Sequence, residues 1–108
     1  MATGGWRLSI GAGATISREM GYSRDEFAGV LPKAMRDWAV SGGPDAWQIS
    51  TVTGAAIATI GIRSLPDREM GSLRLPVLAV SIHLDKAGEG LAAEFMHRFE
   101  RGFHRGGG

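Results

Sequence analysis

The chain has 108 residues, 44% of them apolar and 21% charged, with a net charge of +1 and no cysteine. That length suits one domain with a core of its own, so residues 1–108 read as a single α+β domain, with 1–5 and 106–108 expected to be flexible. The near-neutral charge argues against binding driven by a large electrostatic field, and the absence of Cys excludes a disulfide framework, a thiolate nucleophile and a Cys-ligated zinc.

The segment Met1-Ala2-Thr3-Gly4-Gly5-Trp6-Arg7 lacks a basic stretch followed by an apolar run, and the longest apolar runs elsewhere are strand-sized. The expectation is a soluble cytoplasmic protein with no signal peptide and no membrane contact. All but two of the 12 basic residues (Lys33 and Lys86) are Arg. The guanidinium fork suits carboxylate and phosphate, although coding bias explains the excess more simply.

From Trp6 to Ser17 the sequence alternates: Trp6, Leu8, Ile10, Ala12, Ala14 and Ile16 on one parity, Arg7, Ser9, Gly11, Gly13, Thr15 and Ser17 on the other. This period of two predicts a first strand, bent at Gly11 and Gly13. The same glycines invite a nucleotide-loop reading. Ile16 stands where the third Gly of a dinucleotide fingerprint is needed, and no Lys and Ser/Thr pair follows, so the strand reading prevails.

Ser23-Arg24-Asp25-Glu26 is a capping box, with Tyr22 and Phe27 placed for a hydrophobic staple and Asp25 and Glu26 set against the positive end of the helix dipole. Phe27, Val30, Leu31, Ala34, Met35 and Trp38 share one side, so the spacing predicts a helix from Arg24 to Trp38. Pro32 is expected to kink or split it near Leu31. Ser41-Gly42-Gly43-Pro44-Asp45 reads as a turn cluster. Trp47, Ile49 and Thr51 then mark a second strand, Thr53-Gly54 a hairpin turn, and Ala56 to Arg63 a third strand; Leu65 to Gly71 reads as a connecting loop.

Leu73 and Leu75 share one phase of the fourth strand, while Leu78, Val80, Ile82 and Leu84 share the other. Placing both sets in the core requires an extra residue, and Pro76 at the changeover predicts a β-bulge, with Pro76 facing an unpaired side. The last helix carries Leu91, Phe95, Phe99 and Phe103 at intervals of four, with Ala92 and Met96 beside them. Three of the four Phe residues fall here, so this stripe is expected to be the main packing surface of the core.

The expected fold is therefore α+β, a four-stranded mainly antiparallel sheet with two helices on one face, in the order β-α-β-β-β-α. The other face would carry Arg7, Ser9, Gly11, Gly13, Thr15 and Ser17, then Ile57, Thr59, Gly61 and Arg63, then Val77, Ala79, Ser81 and His83. It lacks the long acidic and Lys side chains of a solvated sheet face. Two occupants suit it: a second copy of the chain, sheet on sheet, or a flat or extended ligand with Arg7, Arg63 and Arg74 as anion partners. Symmetric homodimers are the commonest oligomers, which favours the first.

Other candidate chemistry is thinner. Glu94 and His97 have Glu-x-x-His spacing, but the first helix offers no inward ligand to complete a metal site, so neither metal nor cofactor is expected. His83 and Asp85 share strand parity and suit an acid/base pair, yet no partnered nucleophile accompanies them. The Arg105-Gly106-Gly107-Gly108 end resembles the diglycine terminus of ubiquitin-like modifiers and sulfur carriers, which are adenylated at that carboxylate. Those proteins reach the tail from a strand, whereas here it follows a helix, and helix termination accounts for the glycines. From Arg24 onward the helix–three strands–helix order is similar to double-stranded-RNA-binding domains. Their Lys cluster opening the last helix is replaced here by Asp85, Lys86 and Glu89. The amphipathic last helix has the pattern of a membrane-surface helix, but its Phe stripe is the core that the sheet needs.

The functional expectation is a non-enzymatic binding or assembly module, homodimeric through the open sheet face. The alternatives are an RNA- or anion-binding domain using sheet-face arginines and a small enzyme with a site at the subunit interface. The candidate ligand-binding residues are Arg7, Arg63, Arg74 and His83.

Overall fold

The computed structural model describes residues 13–104, the side chains of residues 87–89 apart. The expected strand before Gly13, with Arg7, and the end segments 1–5 and 106–108 lie outside the described residues. Among the described residues the elements are β1 (Thr15–Met20), α1 (Arg24–Met35), β2 (Ala39–Gly42), β3 (Ala46–Ser50), β4 (Ala56–Met70), β5 (Leu73–Leu84), a 3-10 segment (Lys86–Leu91) and α2 (Ala92–Gly102). The strands form one antiparallel sheet in the order β1-β5-β4-β3-β2.

The α+β class, the antiparallel sheet and the two helices match expectation, but the sheet has five strands, not four, and the order is β-α-β-β-β-β-α. The added strand is β2. Its sequence, Ala39-Val40-Ser41-Gly42, has little β propensity of its own. It is a strand because Ala39 to Gly42 pair with Ser50 to Trp47 of β3. The turn cluster shrinks accordingly to residues 43–45, with a cis peptide bond between Gly43 and Pro44.

Helix α1 begins as its capping box dictates. The Glu26 amide donates to Ser23 Oγ at 3.1 Å and the Ser23 amide to Glu26 Oε1 at 2.9 Å. Pro32 does not split the helix, which continues to Met35 and stops three residues short of Trp38. The Pro32 carbonyl accepts from the Arg36 amide at 3.2 Å, and Arg36, at φ 61°, turns the chain out of the helix. Trp38, beyond the helix, still packs against the core.

The Phe stripe of α2 behaves as its spacing requires. Phe95 and Phe99 are fully buried, Phe103 nearly so. Phe103 stacks on Phe27 of α1 with centroids 4.6 Å apart and meets Phe99 at 4.7 Å; Phe27 in turn lies 5.5 Å from Trp47 of β3. Tyr22 meets Phe103 edge-on at 5.2 Å and donates its hydroxyl to the Phe103 carbonyl at 2.8 Å, so the start of α1 and the end of α2 are tied together inside the core. The sheet contributes Ala58, Ile60, Ile62, Leu78, Val80, Ile82 and Leu84, the alternation expected to face the helices.

Ile57 departs from that alternation. Ile49 pairs with Ala58 and Ser50 with Ala56, so Ile57 has no partner on β3. A bulge of this kind rotates the unpaired residue, and Ile57, expected on the open face, lies in the core at 1% exposure.

The largest correction concerns the expected loop from Leu65 to Gly71. These residues continue β4, and with Leu73 to Val77 they form a two-stranded arm beyond the last rungs of β1 and β3. Met70 pairs with Leu73 across a two-residue turn in which Gly71 has φ 63°, as the first position of a type II′ hairpin requires. The irregularity near Pro76 is present, but the extra residue lies on β4. Leu65 pairs with Val77 and Arg68 with Leu75, so Pro66 and Asp67 stand against Pro76, which has no partner in the ladder. The alternation of β5 is thus never interrupted, and Leu73 and Leu75 do not enter the core.

Candidate functional site

The face that the helices leave uncovered is defined by register, because directly paired residues project to the same side of a sheet. Three rows cross β1, β5 and β4 there: Thr15–His83–Thr59, Ser17–Ser81–Gly61 and Glu19–Ala79–Arg63. The first row continues through Gln48 on β3 to Ser41 on β2. Short side chains in the middle rows leave a shallow depression of about 400 Å³, flanked by Glu19 on one side and Arg63 on the other.

On the arm the same face changes character. Leu65 and Val77 form the next row, then Arg68 and Leu75, then Met70 and Leu73. Exposure is 57% for Met70, 63% for Leu73 and 40% for Leu75, against a nearly buried Val77. Arg68 reaches back along this face to Glu19, with a separation of 3.8 Å. The open face therefore has a polar half with small residues and an apolar half on the arm.

Of the residues singled out from sequence, Arg63 and His83 share this face, four rungs apart along β5. Arg63 is exposed and belongs to none of the ion pairs among the described residues. His83 Nδ1 hydrogen-bonds with the Thr15 hydroxyl at 3.1 Å across the β1–β5 ladder. Arg74 does not join them. It pairs with Glu69 in the ladder, so it lies on the opposite side of the arm, and its guanidinium is 3.3 Å from the Glu69 carboxylate. Arg7 is outside the described residues. Sequence reasoning missed Glu19, because the expected strand stops at Ser17 while β1 runs to Met20. It missed Met70 because Pro66 and Asp67 made the second half of β4 read as a loop.

The polar face of α2 holds a second set of charges with a structural role. Arg98 donates through Nε to Glu94 at 2.9 Å and through Nη1 to Asp37 at 2.9 Å and to the Met35 carbonyl at 2.7 Å. Its guanidinium lies 3.9 Å from the centroid of the Trp38 ring. One side chain thus satisfies a carbonyl at the end of α1 and ties the connector after it to α2. Hydrogen bonds from Arg98 hold the Asp37 and Glu94 carboxyls below their ordinary pKa range, and the Glu94 bond in turn raises that of Arg98. The Glu94 carboxylate of the Glu-x-x-His spacing is accordingly engaged by Arg98. Among the described residues no three His, Asp or Glu side chains come together as a metal-sized group. No helix of the described residues is long and apolar enough to cross a membrane.

No family model matches the sequence, and no curated protein matches it either.

Proposed function

We propose that the protein is a small non-enzymatic assembly module that pairs with a second copy of itself through the open sheet face. The observation that carries this reading is the placement of Met70, Leu73 and Leu75. These are three of the four large hydrophobic side chains exposed among the described residues, and register puts all three on the uncovered face of one arm. Scattered single apolar residues need no explanation, whereas a contiguous group on one face marks an interaction surface. The rest of the face suits a second sheet. Its middle rows, with Ser17, Ser81, Gly61 and Ala79, are short enough for another sheet to stack at ~10 Å, the usual face-to-face spacing. Homodimers with two-fold symmetry use one self-complementary patch of this kind.

Sedimentation equilibrium at tens of micromolar protein tests the reading. The wild-type chain is expected to have the mass of a dimer, and Leu75→Asp to have that of a monomer with an unchanged circular dichroism spectrum. A monomeric wild type overturns the proposal.

A second reading has one specific observation in its favour. Arg63 borders the depression beside the hydroxyls of Ser17 and Ser81 and has no carboxylate partner among the described residues, an arrangement suited to an anion or a nucleic-acid phosphate. Oligonucleotide binding that weakens steeply with salt and is lost in Arg63→Ala supports this alternative; binding indifferent to both dismisses it.

A further inference from the structure

We infer that the two copies stack about a two-fold axis running parallel to β5, with Glu19 of each protomer set against Arg63 of its partner. The inference rests on the self-association proposed above and adds the orientation of the partner.

The starting point is the row Glu19–Ala79–Arg63. Glu19 on β1 and Arg63 on β4 flank β5 at the same level, each one strand away from it. A second sheet laid over this face can be related to the first by a two-fold axis in the plane between them, along the strands or across them. An axis along β5 exchanges left and right while preserving height. The β1 position of one copy then lies over the β4 position of the other, so Glu19 meets Arg63 twice per dimer. The neighbouring row follows the same rule, placing Ser17 over Gly61. An axis across the strands preserves left and right while inverting height. It leaves Glu19 over the partner's β1 and Arg63 over the partner's β4, and no carboxylate meets a guanidinium.

The arm selects the same axis independently. Leu73 and Leu75 lie on β5 itself, on the open-face alternation that continues through Val77 and Ala79. Under an axis along β5 both arms project from the same end of the dimer, and the Leu73 and Leu75 column of one copy faces its counterpart. Under an axis across the strands the arms point in opposite directions, and their exposed apolar side chains stay in water. Two unrelated features, a charge pair and an apolar column, are thus satisfied by one operator. The depression of about 400 Å³ spans the same line, being lined by Ala79 and Ser81 of β5 with residues of β1 and β4 on either side.

Charge reversal tests the orientation. Glu19→Arg sets two guanidinium groups against each other at both ends of the pair, and Arg63→Glu does the same with two carboxylates. Each single variant is expected to raise the dimer dissociation constant at least ~10-fold. Mixing the two single variants restores opposite charges at both contacts of a heterodimer, so the mixture is expected to associate within ~3-fold of the wild type. Glu19 also contacts Arg68 in its own chain at 3.8 Å. An Arg68→Ala variant and thermal midpoints for all variants therefore separate folding effects from association. Recovery on mixing supports the axis along β5. If the wild type dimerises and Leu75→Asp abolishes the dimer, yet the mixture stays as weak as either variant alone, the orientation is wrong and open-face association stands. A monomeric wild type removes both.

Discussion

A close contact between the two helices makes a sharp test of their packing, because two glycines in them should respond to the same substitution with opposite signs. Gly102 is the last residue of α2 and lies against Ala34 of α1. A Cβ built on Gly102 would sit 2.2 Å from Ala34 Cβ and 2.9 Å from Ala34 Cα. Carbon atoms in contact prefer ~3.5–4.0 Å, so the helices must separate by more than 1 Å, roughly, to admit a single methyl group. Both helices are held by buried rings, with Phe27 on α1 and Phe99 on α2 fully enclosed, and separation loosens those contacts. Overpacking of this kind costs about 1–3 kcal/mol. Replacing Gly by Ala in a helix contributes about 0.5–1 kcal/mol in the other direction, and less at a terminal residue. The steric effect should win by roughly 0.5–2 kcal/mol, and Gly102→Ala should lower the thermal midpoint by about 2–16 °C, using ~4–8 °C per kcal/mol for a domain of this size. Gly29, in the middle of α1, has nothing within 4 Å of a built Cβ. Gly29→Ala should therefore stabilise the protein by about 0.5–1 kcal/mol and raise the midpoint by a few degrees. Thermal and urea unfolding followed by circular dichroism in one buffer measures both. A Gly102→Ala variant as stable as Gly29→Ala would refute the helix contact and the packing built around it.

Two further expectations concern polar groups. Ser23→Ala removes the hydroxyl that accepts from the Glu26 amide and should cost about 1 kcal/mol in urea unfolding, whereas Ser23→Asp, which keeps an acceptor at the cap, should cost a few tenths. The Asp37 and Glu94 carboxyls are held below their ordinary range by Arg98, so their folded pKa values lie below their unfolded ones. Their contribution to stability is present above the unfolded carboxylate range and disappears as pH falls through the folded values. The stability difference between wild type and Arg98→Met should accordingly shrink as pH falls from neutral through the carboxylate range, and a difference that stays constant over that titration would show that the carboxylates contribute nothing through Arg98.

Local signals were legible where one short segment contains all the interacting groups. Ser23 and Glu26 lie three residues apart and cap α1 whatever the sheet does. The Phe95–Phe99–Phe103 stripe marks a helix face by spacing alone, and the even positions of Ile60, Ile62, Val80 and Ile82 mark a buried strand face. The turn at Gly71-Ser72 also had a local signature, since Gly-Ser between two strands is hairpin chemistry. Pro66 and Asp67 concealed it, because both residues are depleted in strands and read as loop unless a partner strand absorbs them as an irregularity.

What the sequence determined by itself is therefore the identity of the two helices, the cap of the first and the alternation of the strands, because each follows from contacts between residues a few positions apart. The tertiary structure decided which residues belong to the open face. Leu73 and Leu75 have the composition of a core strand. They stay outside because the extra residue sits on β4, opposite Pro76, and leaves the phase of β5 unchanged. Ile57 moved the other way, into the core, because a residue of β4 found no partner on β3. Glu19 and Arg63 are 44 positions apart in the chain and share a row only because β5 lies between β1 and β4. Register is a relation between strands, and it is register that placed the arm, the charges and the small residues on one surface.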